Sequence, residues 1–260
     1  MKLETYLQEF AADWKLLGKA ASTVEMYCVY LRQLGGEHSA DDVTLAATKL
    51  WLADSASTPT AIARAKAVRA FGRWAEDNDG PDWSWWKSVP TPQPRVVPQP
   101  TVSVEDYRRA LTATRRQRDR LVIELLWSTG LRLSELARID IADIDLAGGF
   151  VVVPRTKTNR PRVAPLSEPA VRLCRRFVGE REAGPLLGMT SHAIQLLLRR
   201  LGAPTPHAWR RGWAVEALRN GVSEASVKAA AGWSSGAMVA RYTSAVSGEL
   251  AIAEFRRTLR

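Results

Sequence analysis

The chain has 260 residues, an apolar fraction of 46% and a charged fraction of 25%, which is ordinary for a soluble globular protein and excludes a chain disordered throughout. Its 37 Lys and Arg against 27 Asp and Glu give a net charge of +10, which points to a polyanionic partner. Residues 1–90 hold 10 basic and 12 acidic side chains, whereas residues 91–260 hold 27 and 15, so the attraction resides in the second part.

Cys28 and Cys174 lie far apart in helical patterns, and no Cys/His spacing suits zinc or a disulfide framework, so both read as reduced core residues and no metal or cofactor is expected. No signal-peptide core or long apolar run occurs, which predicts a cytoplasmic protein without membrane contact.

Helical spacing covers Leu3 to Leu17, Ser22 to Leu34, Thr44 to Ala53 and Pro59 to Asp77, with N-caps at Ser22, Thr44 and Thr58. Residues 1–88 read as a helical domain. On its last helix Arg64, Lys66, Arg69 and Arg73 either face phosphates or form a solvated face. Trp83, Trp85 and Trp86 read as packing at the exit of this domain. Residues 89–101 carry prolines at 90, 92, 94, 98 and 100 and read as an extended linker.

Residues 102–260 read as a second domain. Ser103 and Asp106 form a capping box for a helix to about Thr112, and Arg118 to Thr129 forms a second helix ended by Gly130. Helical spacing resumes over Leu133 to Arg138. Ile139 to Leu146, Phe150 to Pro154 and Arg162 to Leu166 read as three short strands. Helices follow over Glu168 to Val178, Ser191 to Leu201, Pro206 to Asn220 and Ser223 to Ala231. A short helix ends near Tyr242, and Gly248 to Leu259 forms a last amphipathic one. The class is mainly α with a small antiparallel β-sheet.

Several segments of this domain carry chemistry. In STGLRLSEL, Arg132 follows a helix-breaking glycine and has Glu135 three residues on, either as a surface ion pair or as a fork for phosphate oxygens oriented by that carboxylate. Lys157, in RTKTNRPR between two strands, is either a solubilising turn charge or a proton donor to a leaving alkoxide. In TPHAWRRGW, Thr205 can cap and Pro206 occupies the first turn, so His207 and Arg210 lie three apart near a helix N-terminus, where free amides favour an anion. Gly232 is a helix stop, after which Trp233 offers one indole N–H. Tyr242 is a phenol that becomes a nucleophile only among cations and beside a proton acceptor.

Taken together and in order, these segments resemble the active-site boxes of the tyrosine recombinase (phage integrase) family. TGLRLSEL resembles its first-arginine box, TKTNRPRVAPL its β-hairpin lysine box, HAWRR its histidine–arginine box, and AGWSSGAMVARY its final box. The motifs cover about residues 101–245, and the helices before the linker resemble the family's core-binding domain. The chain departs from the family in two places. Trp233 stands where most members have histidine, though tryptophan occurs in some active ones, and Thr156 and Thr158 replace the glycines usual beside the lysine. A short form without the arm-binding domain is expected.

The resemblance implies a site-specific recombinase acting through a 3′-phosphotyrosyl intermediate, without metal or ATP, in phage or mobile-element integration or excision. Tyr242 would be the nucleophile and Lys157 the acid. Arg132 and Arg210 would clamp the non-bridging oxygens, with Trp233 donating to one of them, and His207 would accept the phenolic proton or position the phosphate. Arg64, Lys66, Arg69, Arg73, Arg160, Arg162 and Arg211 are the expected DNA contacts. Partners would be duplex DNA held between the two domains, a homo-tetramer assembled on it with the last helix docking on the next protomer (its alternative being to pack in cis on its own domain), with a monomer as the free form, and a directionality factor. A cytoplasmic, nucleoid-associated location follows.

Three other readings stand beside this one: a type IB topoisomerase with nearly the same residues, a catalytically silent DNA-binding regulator, and a metal-dependent nuclease. The last is supported only by Asp140, Asp143 and Asp145, of which the second and third share a strand face.

Overall fold

In the computed structural model, which describes residues 2–35, 39–93, 99–154, 161–233, 235–236, 239 and 247–259, the chain divides into two units, Met1–Val97 and Pro98–Arg260. The first unit is helical, with α1 at Leu3–Leu16, α2 at Ala21–Gly35, α3 at Leu45–Ala53, α4 at Thr58–Asp77 and a 3-10 turn at Ser84–Ser88. Apolar residues recurring every three or four positions put Leu3, Leu7 and Phe10 of α1, Val24, Cys28 and Leu31 of α2 and Val68, Phe71 and Trp74 of α4 into one core. Phe10 meets Phe71 and Trp74 edge to face at ring distances of 5.6 and 5.7 Å. Trp83 is fully buried, stacks on Trp85 at 5.0 Å and donates its indole N–H to the Ala40 carbonyl at 2.8 Å.

Helix starts in this unit follow the capping chemistry with two corrections. Thr44 caps α3 by accepting from the Ala47 amide at 3.2 Å, as its position predicts. Ser57, not Thr58, caps α4, and Ser22 lies inside the first turn of α2. There the Thr23 and Val24 amides already bond to the Ala20 carbonyl at 2.9 and 3.1 Å, so backbone closes the turn without a side-chain cap. Val89, read as linker, is buried and accepts from Arg69, so it belongs to the core of the first unit.

The second unit comprises α5 at Val104–Ala113, α6 at Gln117–Thr129, α7 at Leu133–Leu136 and a sheet, followed by α8 at Glu168–Val178, α9 at Ser191–Arg200, α10 at Pro206–Arg219, α11 at Glu224–Ala231 and α12 at Ser247–Thr258. The sheet is antiparallel in the order β1 (Ile144–Asp145), β2 (Phe150–Val153) and β3 (Arg162–Pro165), with Val151 opposite Ala164 and Val153 opposite Arg162. The Ser103–Asp106 capping box is formed in both directions at the start of α5. Helix α6 is buried along most of its length, through Leu121, Val122, Ile123, Leu125 and Leu126, and packs on α5, α8 and α10. Its buried Glu124 is satisfied by the Tyr107 hydroxyl at 2.6 Å and the Ser167 hydroxyl at 2.9 Å.

Two expected elements are shorter than their patterns. The strand expected from Ile139 shrinks to β1, because the Asp140 and Asp143 carboxylates cap a 3-10 turn at Ile141–Asp143. The helix expected to Arg138 ends at Leu136, where Arg138 and Ile139 donate to carbonyls only three residues back. The hairpin tip at 155–160 and the short helix expected near Tyr242 lie outside the described residues. Both cysteines are buried free thiols, and burial pushes Cys174 up to about 12. Among the described residues no helix is long and apolar enough to cross a membrane.

Candidate active site

Gly130 sets up the site. It ends α6 in the left-handed conformation, φ +58°, and any Cβ there would lie 2.3 Å from the Trp213 ring. The chain turns at this glycine, and Arg132 stands at the head of α7. Glu135 reaches back, accepting the Arg132 amide at 2.8 Å on one oxygen and the Arg132 guanidinium at 2.7 Å on the other. Glu135 is buried, whereas the Arg132 side chain keeps about a quarter of its surface open at 27%.

Arg210 arrives from α10. Its fork spans two backbone carbonyls, Gly130 at 2.6 Å and Ala231 at 2.5 Å, and its guanidinium lies 5.3 Å from the centre of the Trp233 ring. One buried arginine thus ties the turn before Arg132 to the end of α11, where Gly232, at φ +65°, releases the chain into Trp233. Planar, permanently charged guanidinium suits this two-carbonyl bridge, which a lysine could not make. His207 sits one turn earlier in α10 and is exposed. Thr205, expected to cap α10, makes no side-chain cap bond; Pro206 needs none, and the Ala208 amide bonds to the Thr205 carbonyl at 2.8 Å.

Arg162 corrects an expectation. Read as a DNA contact, it is buried at the start of β3, with one arm on Glu135 at 2.6 Å and another on the Ala230 carbonyl. The sequence signal for this burial is strand alternation: Arg162 is in phase with Ala164 on the buried face of β3, while Val163 and Pro165 face outward. Burial pushes the Glu135 carboxyl up, but the Arg132 amide and the Arg162 and Arg132 guanidinium groups outweigh it and hold the group below its ordinary value. Burial draws Arg162 down from its ordinary value against the opposing pull of Glu135, yet an arginine stays protonated.

The remaining cations divide into two kinds. Arg64 lies over the Trp51 ring at 4.4 Å and donates to the Trp51 carbonyl and the Ser55 hydroxyl, and Arg69 donates twice to the Val89 carbonyl. Both are half-buried and hold parts of the first unit together. Lys66 and Arg73 are exposed, Arg73 with a loose 3.9 Å pairing to Asp77. Arg211 is half-buried and donates to the Pro100 carbonyl at 2.8 Å. Lys157, Arg160 and Tyr242 lie outside the described residues.

Asp140 and Asp143 cap the 3-10 turn and Asp145 accepts the Ala147 and Gly148 amides, so each has a local backbone duty, and Asp143 lies in that turn and not on a strand face. Among the described residues no group of three or more His, Cys, Asp or Glu is placed to hold a metal ion.

What this arrangement can do is present cationic and N–H groups to an anion while committing the rest of each side chain to the protein. Comparison with known proteins places the chain in a family. The family model described as the phage integrase family matches residues 101–248. Tyrosine recombinase XerA of Thermococcus kodakarensis is 28% identical over 258 residues, covering 91% of this chain and 89% of that protein. Tyrosine recombinase XerC of Mycobacterium leprae is 28% identical over 274 residues, covering 87% and 89%. Among solved structures, a lambda integrase dimer bound to a COC′ core site aligns with a TM-score of 0.77 at 17% identity, covering 93% of this chain and 77% of that one, a likeness of fold.

Proposed function

The chain belongs to the phage integrase family, and from that premise we propose that it is a site-specific DNA recombinase that cuts and rejoins duplex DNA through a tyrosine. The observation that supports this reading is the Arg210 bridge between the carbonyl of Gly130, two residues before Arg132, and that of Ala231, two residues before Trp233, whose ring lies 5.3 Å from the same guanidinium, with Glu135 anchoring Arg132.

In the proposed reaction the Tyr242 oxygen attacks a backbone phosphate. A bond from that oxygen to phosphorus forms, the bond to the 5′-oxygen breaks, and the strand is held as a 3′-phosphotyrosine. Arg132 and Arg210 neutralise the non-bridging oxygens as negative charge builds, and Trp233 donates to one of them. His207 accepts the phenolic proton or positions the phosphate, and Lys157 protonates the departing 5′-oxygen. Because the ester conserves the energy of the broken bond, rejoining needs no ATP. Attack by the 5′-hydroxyl of a second duplex exchanges strands.

Lys66, Arg73, Arg160 and Arg211 are proposed to contact the DNA backbone, which would make affinity strongly salt-dependent. Helix α12 exposes Ile252 and Phe255, and Leu259 just beyond it is exposed as well, which supports assembly of a tetramer on DNA through this segment. The setting proposed is integration or excision of a phage or other mobile element in the cytoplasm, at the nucleoid, under a directionality factor. That finer part rests on the family and on no single residue.

The test uses a duplex selected from a random-sequence pool by binding to the protein, nicked so that cleavage is trapped, and incubated in EDTA. A covalent protein–DNA band on a denaturing gel is expected, and paired sites are expected to yield joint molecules. Relaxation of supercoils without joint molecules would assign the protein to topoisomerase chemistry instead. Absence of any adduct on the selected duplex would reject the reading.

A further inference from the structure

We propose that Arg162 is a positioning residue for the phosphate-binding side of the site, fixing Arg132 through Glu135 and the Trp233 segment through Ala230 and Gly232. The inference rests on the reading of Arg132 and Trp233 as phosphate ligands.

Arg162 is buried, with only 5% of its side chain exposed and both terminal nitrogens committed to protein acceptors. Its two arms end on different parts of the site. One meets Glu135 Oε2 at 2.6 Å, the oxygen that also accepts the Arg132 amide, while Glu135 Oε1 holds the Arg132 guanidinium. The other donates to the Ala230 carbonyl at the end of α11. The stem of Arg162 lies where a Cβ on Gly232 would come within 2.6 Å of its Cδ, so the glycine that releases Trp233 packs directly on this arginine.

Stability alone does not account for the residue. A buried ion pair repays its desolvation poorly, and well-packed apolar residues of similar volume often serve as well or better. Arg162 also keeps its Nε buried without a hydrogen-bond partner, a further cost. What the charge provides is a fixed separation between two backbone segments and a carboxylate clamped from both sides. Without Arg162, Glu135 would keep one contact per oxygen, both to Arg132, and its Oε2 would lose its charged partner and its tie to the end of α11. In metal sites, outer contacts that orient ligand groups are commonly worth about 10- to 100-fold, and an effect of that order is expected for a guanidinium oriented through Glu135.

The experiment compares full-length wild type and Arg162→Met on the selected, nicked duplex at saturating DNA, with a parallel substrate whose scissile 5′-oxygen is replaced by sulfur. Sulfur leaves without needing a proton donor, so the second substrate bypasses the acid and reports the phosphate side alone. The expected result is a cleavage rate reduced about 10- to 100-fold on both substrates, with unchanged DNA affinity and salt dependence. A wild-type rate per folded molecule would overturn the inference. So would a defect relieved by sulfur, which would place the effect on the leaving-group side, or a loss of affinity with a shallower salt slope, which would make Arg162 a phosphate contact. If Arg162→Met does not fold, Arg162→Lys, which can reach only one of the two partners, is measured in the same way with the same expectation. Wild type that forms no adduct would sink the functional reading itself; wild type and variant cleaving alike would sink only the role of Arg162.

Discussion

Arg210 donates to the carbonyl oxygen of Gly130 at 2.6 Å, across 80 residues of chain. That bond brings the α10 arginine to the turn that carries Arg132, and the second bond, to Ala231, brings the approach to Trp233 to the same place.

Replacing Arg210 by lysine keeps the charge but removes the two-carbonyl bridge. One buried carbonyl would lose its donor, costing about 1–3 kcal/mol of stability, and covalent adduct formation is expected to slow by about 100-fold or more. Denaturant unfolding and single-turnover cleavage measure the two effects; a near-wild-type cleavage rate would mean that the bridge is incidental.

Gly130→Ala is expected to destabilise the second unit by about 2 kcal/mol or more. The left-handed conformation alone costs a non-glycine residue about 1–2 kcal/mol, and the new Cβ would meet the Trp213 ring at 2.3 Å. Urea unfolding followed by tryptophan fluorescence measures this, and an unchanged midpoint would show that the turn rearranges freely.

The Glu135 cluster should make stability depend on acid. Its folded pKa lies below the ordinary 4.5, so its contribution is complete above that value and is lost as pH falls through the folded pKa. Glu135→Gln should therefore be much less stable than wild type near neutrality, by about 3–5 kcal/mol for a broken buried pair. The gap should narrow as pH drops below 4.5. Parallel stability curves down to acid pH would contradict this.

DNA affinity should separate the cations of α4. Lys66→Ala and Arg73→Ala should each lower the slope of log affinity against log salt by about 0.9. Arg64→Ala should instead lower the stability of the first unit, since one guanidinium nitrogen, Nη1, donates to both the Trp51 carbonyl and the Ser55 hydroxyl. Titrations at several salt concentrations decide, and an Arg64 variant that shifts only the slope would reverse its assignment.

Most of the helices were legible because apolar residues recur at helical spacing and because Thr44, Ser103, Gly130 and Gly232 carry unambiguous cap chemistry. Arg132 with Glu135 was legible for a local reason, the three-residue spacing that makes them neighbours. The double duty of Glu135 was not, because Arg162 lies 27 residues away and only strand register brings it there. The structural bonds of Arg64 and Arg69 were hidden for the same reason: from sequence they form a basic helix face, and only tertiary packing reveals the Trp51 and Val89 carbonyls as their partners. Asp143 and Asp145 are spaced like residues of one strand face, but aspartate also bonds to nearby amides, and at Asp143 that local competition won while Asp145 stays in β1.

The central claim is tested most directly by digesting the trapped protein–DNA adduct with trypsin and locating the modified peptide by mass spectrometry. The account predicts a nucleotide joined through a 3′-phosphate to the peptide that begins at Tyr242, and no adduct from Tyr242→Phe although that variant still binds DNA. Attachment at any other residue, or an adduct that persists in Tyr242→Phe, would contradict it.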